Sequence, residues 1–457
     1  MGNRAVLAVL LLLTPVSWAQ SAPAEMVWAR QFGNVNTNNA AAVLYNESVG
    51  VVVAGFTRQG TGPTGLADDK GFSEMFSGVD GAIFQREEFA SAGIDHAAGI
   101  ATGRCPLTPT KCGFYVVGDT TGLMQGANPP RAGTGTKSDI FVVEFNHMGN
   151  LTTPTRQLGS LETDQVHGVV RVPPALGATL ASIVVVGDTR GDLRKIAIVP
   201  SQGAATGSGD AFAMLLTDGS TKPEWVFQFG DPASLDAAEA VAVDAQRRTY
   251  VVGYTYGSLG LGCSKKGGKD GFVVQIDAVG RQRWCDQIGS VGANSQTEAL
   301  GVAYADPCDS LFVVGSTMAA LGQGKDAFIS RYTSSGVLLW TKQDWLGLAG
   351  DSVARAVATG PGCRAYVTGT FAPVVTSKNS LTSFLSVWSA GGVELESKTF
   401  AAVETKPTKT GFSTVFSDAI AYSPPRGVYV AGKADGSLFG QPAIGGLDAF
   451  VVKFKVP

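Results

Sequence analysis

Residues 236–289 read DAAEAVAVDAQRRTYVVGYTYGSLGLGCSKKGGKDGFVVQIDAVGRQRWCDQIG. A small-residue segment ending at Val243 is followed by Tyr-Val-Val-Gly-x-Thr to Thr255, then by a segment opening Asp270-Gly-Phe272, then by Trp-x-x-Gln-x-Gly from Trp284 to Gly289. The segments are short, rich in Val, Ile, Phe and Tyr, and separated by Gly, Asp and Ser, as strands of an antiparallel meander are. The stretch is therefore read as one four-stranded sheet with its strands in sequence order.

The same unit recurs along the chain. Glycines of the Gly-x-Thr type fall at Gly55, Gly118, Gly187, Gly253, Gly315, Gly369 and Gly432, spaced 54 to 69 residues apart, enough for four strands and their loops. The third strand opens with Asp139, Asp210, Asp270, Asp326 or Asp448, and Glu74 and Thr382 are read as its replacements in the first and sixth units. Fourth strands begin at Trp225, Trp284 and Trp340, while Phe84, Pro154 and Leu395 stand in for Trp elsewhere. The chain opens with a lone fourth-strand motif, WARQFG at 28–33, and closes on a lone third strand, DAFVVKF from Asp448. A radial array of sheets leaves a gap unless its ends join. The expected fold is all-β: a seven-bladed β-propeller of four-stranded antiparallel blades, with the N-terminal strand completing the last blade. Residues 28–457 would form this single domain, after a signal peptide at 1–19 and a short linker at 20–27.

The YVVGxT, DAFVV and WxxQxG motifs resemble the SBBP family of seven-bladed β-propeller repeats across essentially the whole mature chain. The resemblance implies the propeller architecture and an exported setting, and it implies no particular reaction.

Composition agrees with a turn-rich β protein. There are 59 Gly among 457 residues and only 16% charged residues, which excludes a charged disordered polymer and a helical bundle. A net charge of −3, from 35 basic and 38 acidic residues, gives no footprint for nucleic acid or an anionic membrane. Residues 1–19 combine Arg4, an apolar run from Ala5 to Leu13, and small residues at Ser17 and Ala19, the pattern of a secretory signal cleaved after Ala19. That run is too short to span a bilayer, so no membrane insertion is expected. The protein is expected to be secreted, or periplasmic or cell-surface if bacterial, and monomeric.

Six cysteines in an exported chain point to disulfides. Cys105 and Cys112 bracket a Pro-containing loop and are the favoured pair; Cys263 with Cys285 and Cys308 with Cys363 stay open. Two sequons, at Asn46 and Asn150, fall in turns read as exposed and would accept glycans in a eukaryotic source.

Chemistry is sparse. The three histidines, His96, His147 and His167, belong to no HExxH pattern, and no CxxC, GxSxG or phosphate-loop motif occurs. No catalytic residue, metal ligand or cofactor is predicted. One polar series, Asn38, Asp95, Asp164, Asp236, Thr297 and Asp351, recurs where the first strand of a unit begins. These side chains would either ring one mouth of a central channel as a cation or polar-ligand site, or cap the turn into the strand. The strand-opening aspartates read as turn caps, because a site needs its chemistry once rather than in every unit. The longest loops join second to third strands, at 58–73, 121–138 and 190–209, and crowd one face. The expected function is a non-catalytic binding or scaffold module engaging a protein or carbohydrate on that face. The alternative is a propeller enzyme, a lyase, hydrolase or quinoprotein-like oxidoreductase, with a carboxylate-lined channel.

Overall fold

The computed structural model describes residues 24–456 apart from 62–66, 106–110, 128–136, 153, 175–179, 200–208, 261, 319–323, 344–349, 373–380, 404–413 and 426. The expected signal peptide, residues 128–136 of the loop at 121–138 and residues 200–208 of the loop at 190–209 lie outside the described residues. The described chain is all-β, with three short 3-10 turns and no α-helix.

Antiparallel meanders build it. Five sheets have four strands each, and one has eight. A representative meander runs Asp164–Val172, Ser182–Thr189, Asp210–Thr217 and Trp225–Phe229, each strand paired with the next. The fourth and fifth units, expected as separate sheets, are joined. Strand Gly292–Ala305 begins early and runs parallel to the start of Gly267–Ile276, pairing Gly267 with Gly292 and Lys269 with Gln296. The close approach depends on Gly268, where a Cβ would lie 2.1 Å from the Ala293 carbonyl oxygen.

The N-terminal strand Glu25–Phe32 pairs antiparallel with the C-terminal strand Asp448–Lys455 and completes a sheet with Gly427–Ala434 and Val415–Ser423. It starts earlier than expected. Residues 25–27, assigned to the linker at 20–27, are strand, and Ala24 is already buried, its N–H bonded to the Glu396 carboxylate and its carbonyl accepting from Lys398 Nζ at 2.7 Å.

Second and third strands are buried on both faces because each sheet packs against the next. Val184, Val186 and Ala213 meet Val241, Val251 and Phe272 of the following unit in one cluster. Trp28 and Phe32 join Tyr429 and Val451 to Val51 and Phe72 in another, so the last sheet packs on the first. This explains the unbroken Val-rich runs, which a sheet with one wet face would not carry.

Two readings of the first unit are corrected by register. Lys70, not Glu74, stands opposite Thr57 where other units place the strand-opening Asp; Glu74 lies farther along and accepts from Arg86 Nη1 at 2.8 Å. The segment 58–73, read as a loop, is strand at 58–61 and 67–73, where strands Gly50–Thr61 and Ala67–Phe76 extend into it.

Disulfides join Cys105 with Cys112, Cys263 with Cys285, and Cys308 with Cys363. Among the described residues no helix is long and apolar enough to cross a membrane. The three disulfides fit an oxidising compartment.

Candidate functional site

The polar series at the start of the first strands is a set of buried caps. Asn38, Asp95, Asp164 and Asp236 are at most 2% exposed. Asp95 accepts from Ser91 N at 2.7 Å and Thr120 Oγ1 at 2.5 Å, and Asp164 accepts from Ser160 N at 2.6 Å and Thr189 Oγ1 at 2.5 Å. Asp236 accepts from Asp231 N at 2.8 Å, and Asn38 Oδ1 from Thr57 Oγ1 at 3.1 Å. The Thr of each Gly-x-Thr motif is thus the partner of the cap, and Thr297 makes the same contact with Thr317. These side chains lock a turn and do not ring the channel mouth. Asp351 is not a member: it is exposed, accepts from Lys325 N at 2.8 Å, and leaves the position to Ser352, which pairs with Phe371. Burial raises Asp95, and lifts Asp164 and Asp236 to about 7 against the hydrogen bonds they accept.

What faces the channel sits three residues farther along. Every first strand carries a β-bulge there, at Ala41, Ala98, His167, Glu239, Leu300, Arg355 and Asp418. The motif glycine opposite explains the bulge. At Gly187 a Cβ would fall 1.9 Å from the Gln165 carbonyl oxygen, and all seven glycines show the same approach, at 1.8 to 2.0 Å. The bulge re-aims one side chain per unit, and all seven line a central cavity of about 190 Å³.

A wider mouth of about 330 Å³ opens at the end where the second strands run into the third. One wall is acid and histidine. His167 Nε2 lies 2.8 Å from Asp188 and its Nδ1 3.3 Å from Glu239; although burial opposes it, these two carboxylates raise the imidazole to about 10. His96 Nε2 lies 3.0 Å from Asp69 and its ring packs 4.2 Å from Phe56. Asp69 sits below the usual carboxylate range despite burial, held there by hydrogen bonds from Arg58 and His96. Burial lifts Asp119 to about 6, with His96 and His167 opposing. Lys433 at the mouth and Arg355 in the central cavity each lie 3.6 Å from Asp418, and Lys433 Nζ reaches Asn39 Oδ1 at 3.3 Å.

The two rim histidines therefore share a cavity, each fixed by its own carboxylate. Among the described residues no three His, Cys, Asp or Glu side chains converge as metal ligands would. Residue reading missed Glu239, Arg355 and Asp418, which differ from unit to unit and are brought together by the bulge alone. Asn46 was read as exposed but is buried, its Nδ2 donating to the Cys112 and Gly113 carbonyls at 3.1 and 3.0 Å, whereas Asn150 is exposed.

No protein-family model and no curated protein matches the chain. Solved structures similar to it include the β-propeller domain of the Trilobed protease from Pyrococcus furiosus, at 10% identity and a TM-score of 0.48, covering 93% of this chain and 96% of that one. The Kuenenia stuttgartiensis hydrazine synthase is similar at 10% identity and 0.46, covering 89% and 96%. The periplasmic gluconolactonase of Pseudomonas aeruginosa is similar at 12% identity and 0.44, covering 88% and 100%. Nothing about activity follows from these likenesses.

Proposed function

We propose that the chain is an exported, closed seven-bladed β-propeller of the SBBP type that binds a small carbohydrate at its channel mouth without transforming it. Closure is supported by the pairing of Glu25–Phe32 with Asp448–Lys455 and by the packing of the last sheet on the first. Seven blades follow if the eight-stranded sheet counts as two, joined by only two parallel residue pairs.

The observation that carries the binding reading is the ring of bulges. The backbone device recurs in all seven units, but its side chains do not: Ala, Ala, His, Glu, Leu, Arg and Asp point into one cavity. Features that hold a fold together recur, whereas a site needs its chemistry in one asymmetric place. Lys433 at the mouth and Arg355 in the central cavity offer donors, Asp119 and Glu239 offer acceptors, and Asn39 offers both. Such alternation suits a neutral ligand carrying several hydroxyl groups.

The mouth opens on the face expected from the loops, so the site is placed at the floor of that face rather than on the loops themselves. A glycan array probed with the mature chain, residues 20–457, tests the reading. Retained glycans that are lost by the Glu239→Gln and Asp418→Asn variants support it, and an empty array rejects it. The catalytic alternative rests on Asp119, whose value near 6 beside His96 suits acid–base work; release of reducing ends from a bound glycan would favour it.

A further inference from the structure

A second cleft lies at the opposite ends of the strands, between the second and third units. It encloses about 480 Å³ and is lined in part by Arg104, Glu144, Pro154, Arg156, Leu180 and Asp218. That volume lies in the range of small-molecule sites. Its walls combine apolar surface, including Leu180 at 44% exposure, with an unusual charge group at the base.

Two carboxyls, Glu144 and Asp218, and two guanidinium groups, Arg104 and Arg156, meet there. Arg104 Nε is 3.8 Å from Asp218 Oδ2. Arg156 donates to the Thr217 and Ser220 carbonyls at 3.2 and 3.3 Å and lies 5.6 Å over the Tyr115 ring. Tyr115 lies behind and interacts electrostatically with Arg171. Three buried atoms of this group have no hydrogen-bond partner among the described residues: Tyr115 Oη, Arg171 Nε and Asp218 Oδ2. Tyr115 is 1% exposed, its hydroxyl a buried donor with the Asp218 carboxylate beside it. Buried polar atoms are rarely orphaned without a reason.

Burial and the adjacent Asp218 raise Glu144 to about 7, with Arg156 and Arg104 opposing. Below that pH Glu144 is neutral and itself a donor. The base then holds the guanidinium groups of Arg104 and Arg156 against the single charge of Asp218. His147 also lines the cleft.

We propose that this cleft binds an apolar compound ending in a carboxylate, the anionic end received by Arg104, Tyr115 and Glu144 and the apolar body lying along Pro154 and Leu180. The site is independent of the channel mouth, sharing no residue with it.

Titration calorimetry of the mature chain with octanoate and with octylamine, each at pH 6 and pH 8, tests this. Octanoate is expected to bind at least 10-fold more tightly at pH 6, and octylamine not to bind at either pH. Glu144→Gln mimics the protonated acid and should keep octanoate affinity at pH 8 at its pH 6 value. Arg104→Ala should weaken octanoate at least 10-fold with an unchanged melting temperature. Octylamine bound more tightly than octanoate, octanoate indifferent to Arg104→Ala, or no binding of either probe overturns the proposal.

Discussion

Gln31 Nε2 donates to Asp448 Oδ2 at 2.8 Å, across 417 residues of chain. The same bond joins Gln157 to Asp139 at 3.0 Å, Gln228 to Asp210 at 2.6 Å and Gln287 to Asp270 at 3.2 Å, each within one unit. In all four the glutamine Oε1 also accepts an N–H from the loop after the second strand, that of Met124, Leu193, Leu259 or Leu438. Gln31 therefore does for the last unit what an internal fourth strand does for the others.

Replacing Gln31 with Leu removes two buried partners at once. Destabilisation of about 1–3 kcal/mol is expected, the usual cost of orphaned buried polar groups. Urea denaturation should give the same loss for Gln228→Leu, because the two glutamines occupy equivalent places.

Gly187→Ala would drive a methyl group to 1.9 Å from the Gln165 carbonyl oxygen. The second strand must move or the bulge at His167 must flatten. A loss of about 3 kcal/mol is expected from such overpacking, together with weaker ligand binding at the mouth. Wild-type affinity in a destabilised variant would separate the bulge from the site.

Stability should fall as pH rises from 4 to 8. Asp164 and Asp236 titrate near 7 when folded, above the ordinary carboxylate value, so their contribution is complete below about pH 4 and is lost as pH rises through 7. A melting temperature at pH 5 exceeding that at pH 8 by on the order of 5 °C is expected. Asp164→Asn should flatten this slope. His167, raised to about 10, has the same sign over a higher window: its contribution is complete below about 6.5 and is lost toward pH 10, so a decline between pH 8 and 10 should persist in Asp164→Asn and disappear in His167→Gln.

Produced in a eukaryotic secretory host, the chain should carry glycan at Asn150 and none at Asn46, whose amide hydrogens are both bonded inside the fold. Glycopeptide mass spectrometry reads both sites directly. Occupied Asn46 would mean that the turn around Cys112 is open when the sequon is read.

The repeat was legible because fold-maintaining chemistry recurs: Thr partners for the caps, Gln partners for the strand-opening aspartates, and a glycine wherever a carbonyl comes close. Trp225, Trp284 and Trp340 follow the same rule, each donating to a carbonyl in a turn of the next unit, on Ala278, Ser334 and Ala390. The site was illegible for the converse reason. Its residues differ from unit to unit, so alignment reads them as noise, and only the bulge shows that Glu239, Arg355 and Asp418 share a cavity with His167. Asp351 misled because a one-residue offset reverses the face of a strand residue, and composition alone does not reveal register. The lone acid pair of Glu144 and Asp218 recurs nowhere and needed the packed structure to bring it together.

The claim on which the rest depends is that the first strand closes the ring. Calorimetric melting of a chain beginning at residue 34, with and without a peptide of residues 20–33, tests it most directly. The expected result is a melting temperature lower by on the order of 10 °C, partly restored by the peptide as the strand re-pairs with Asp448–Lys455. An unchanged melting curve on deletion would contradict the account.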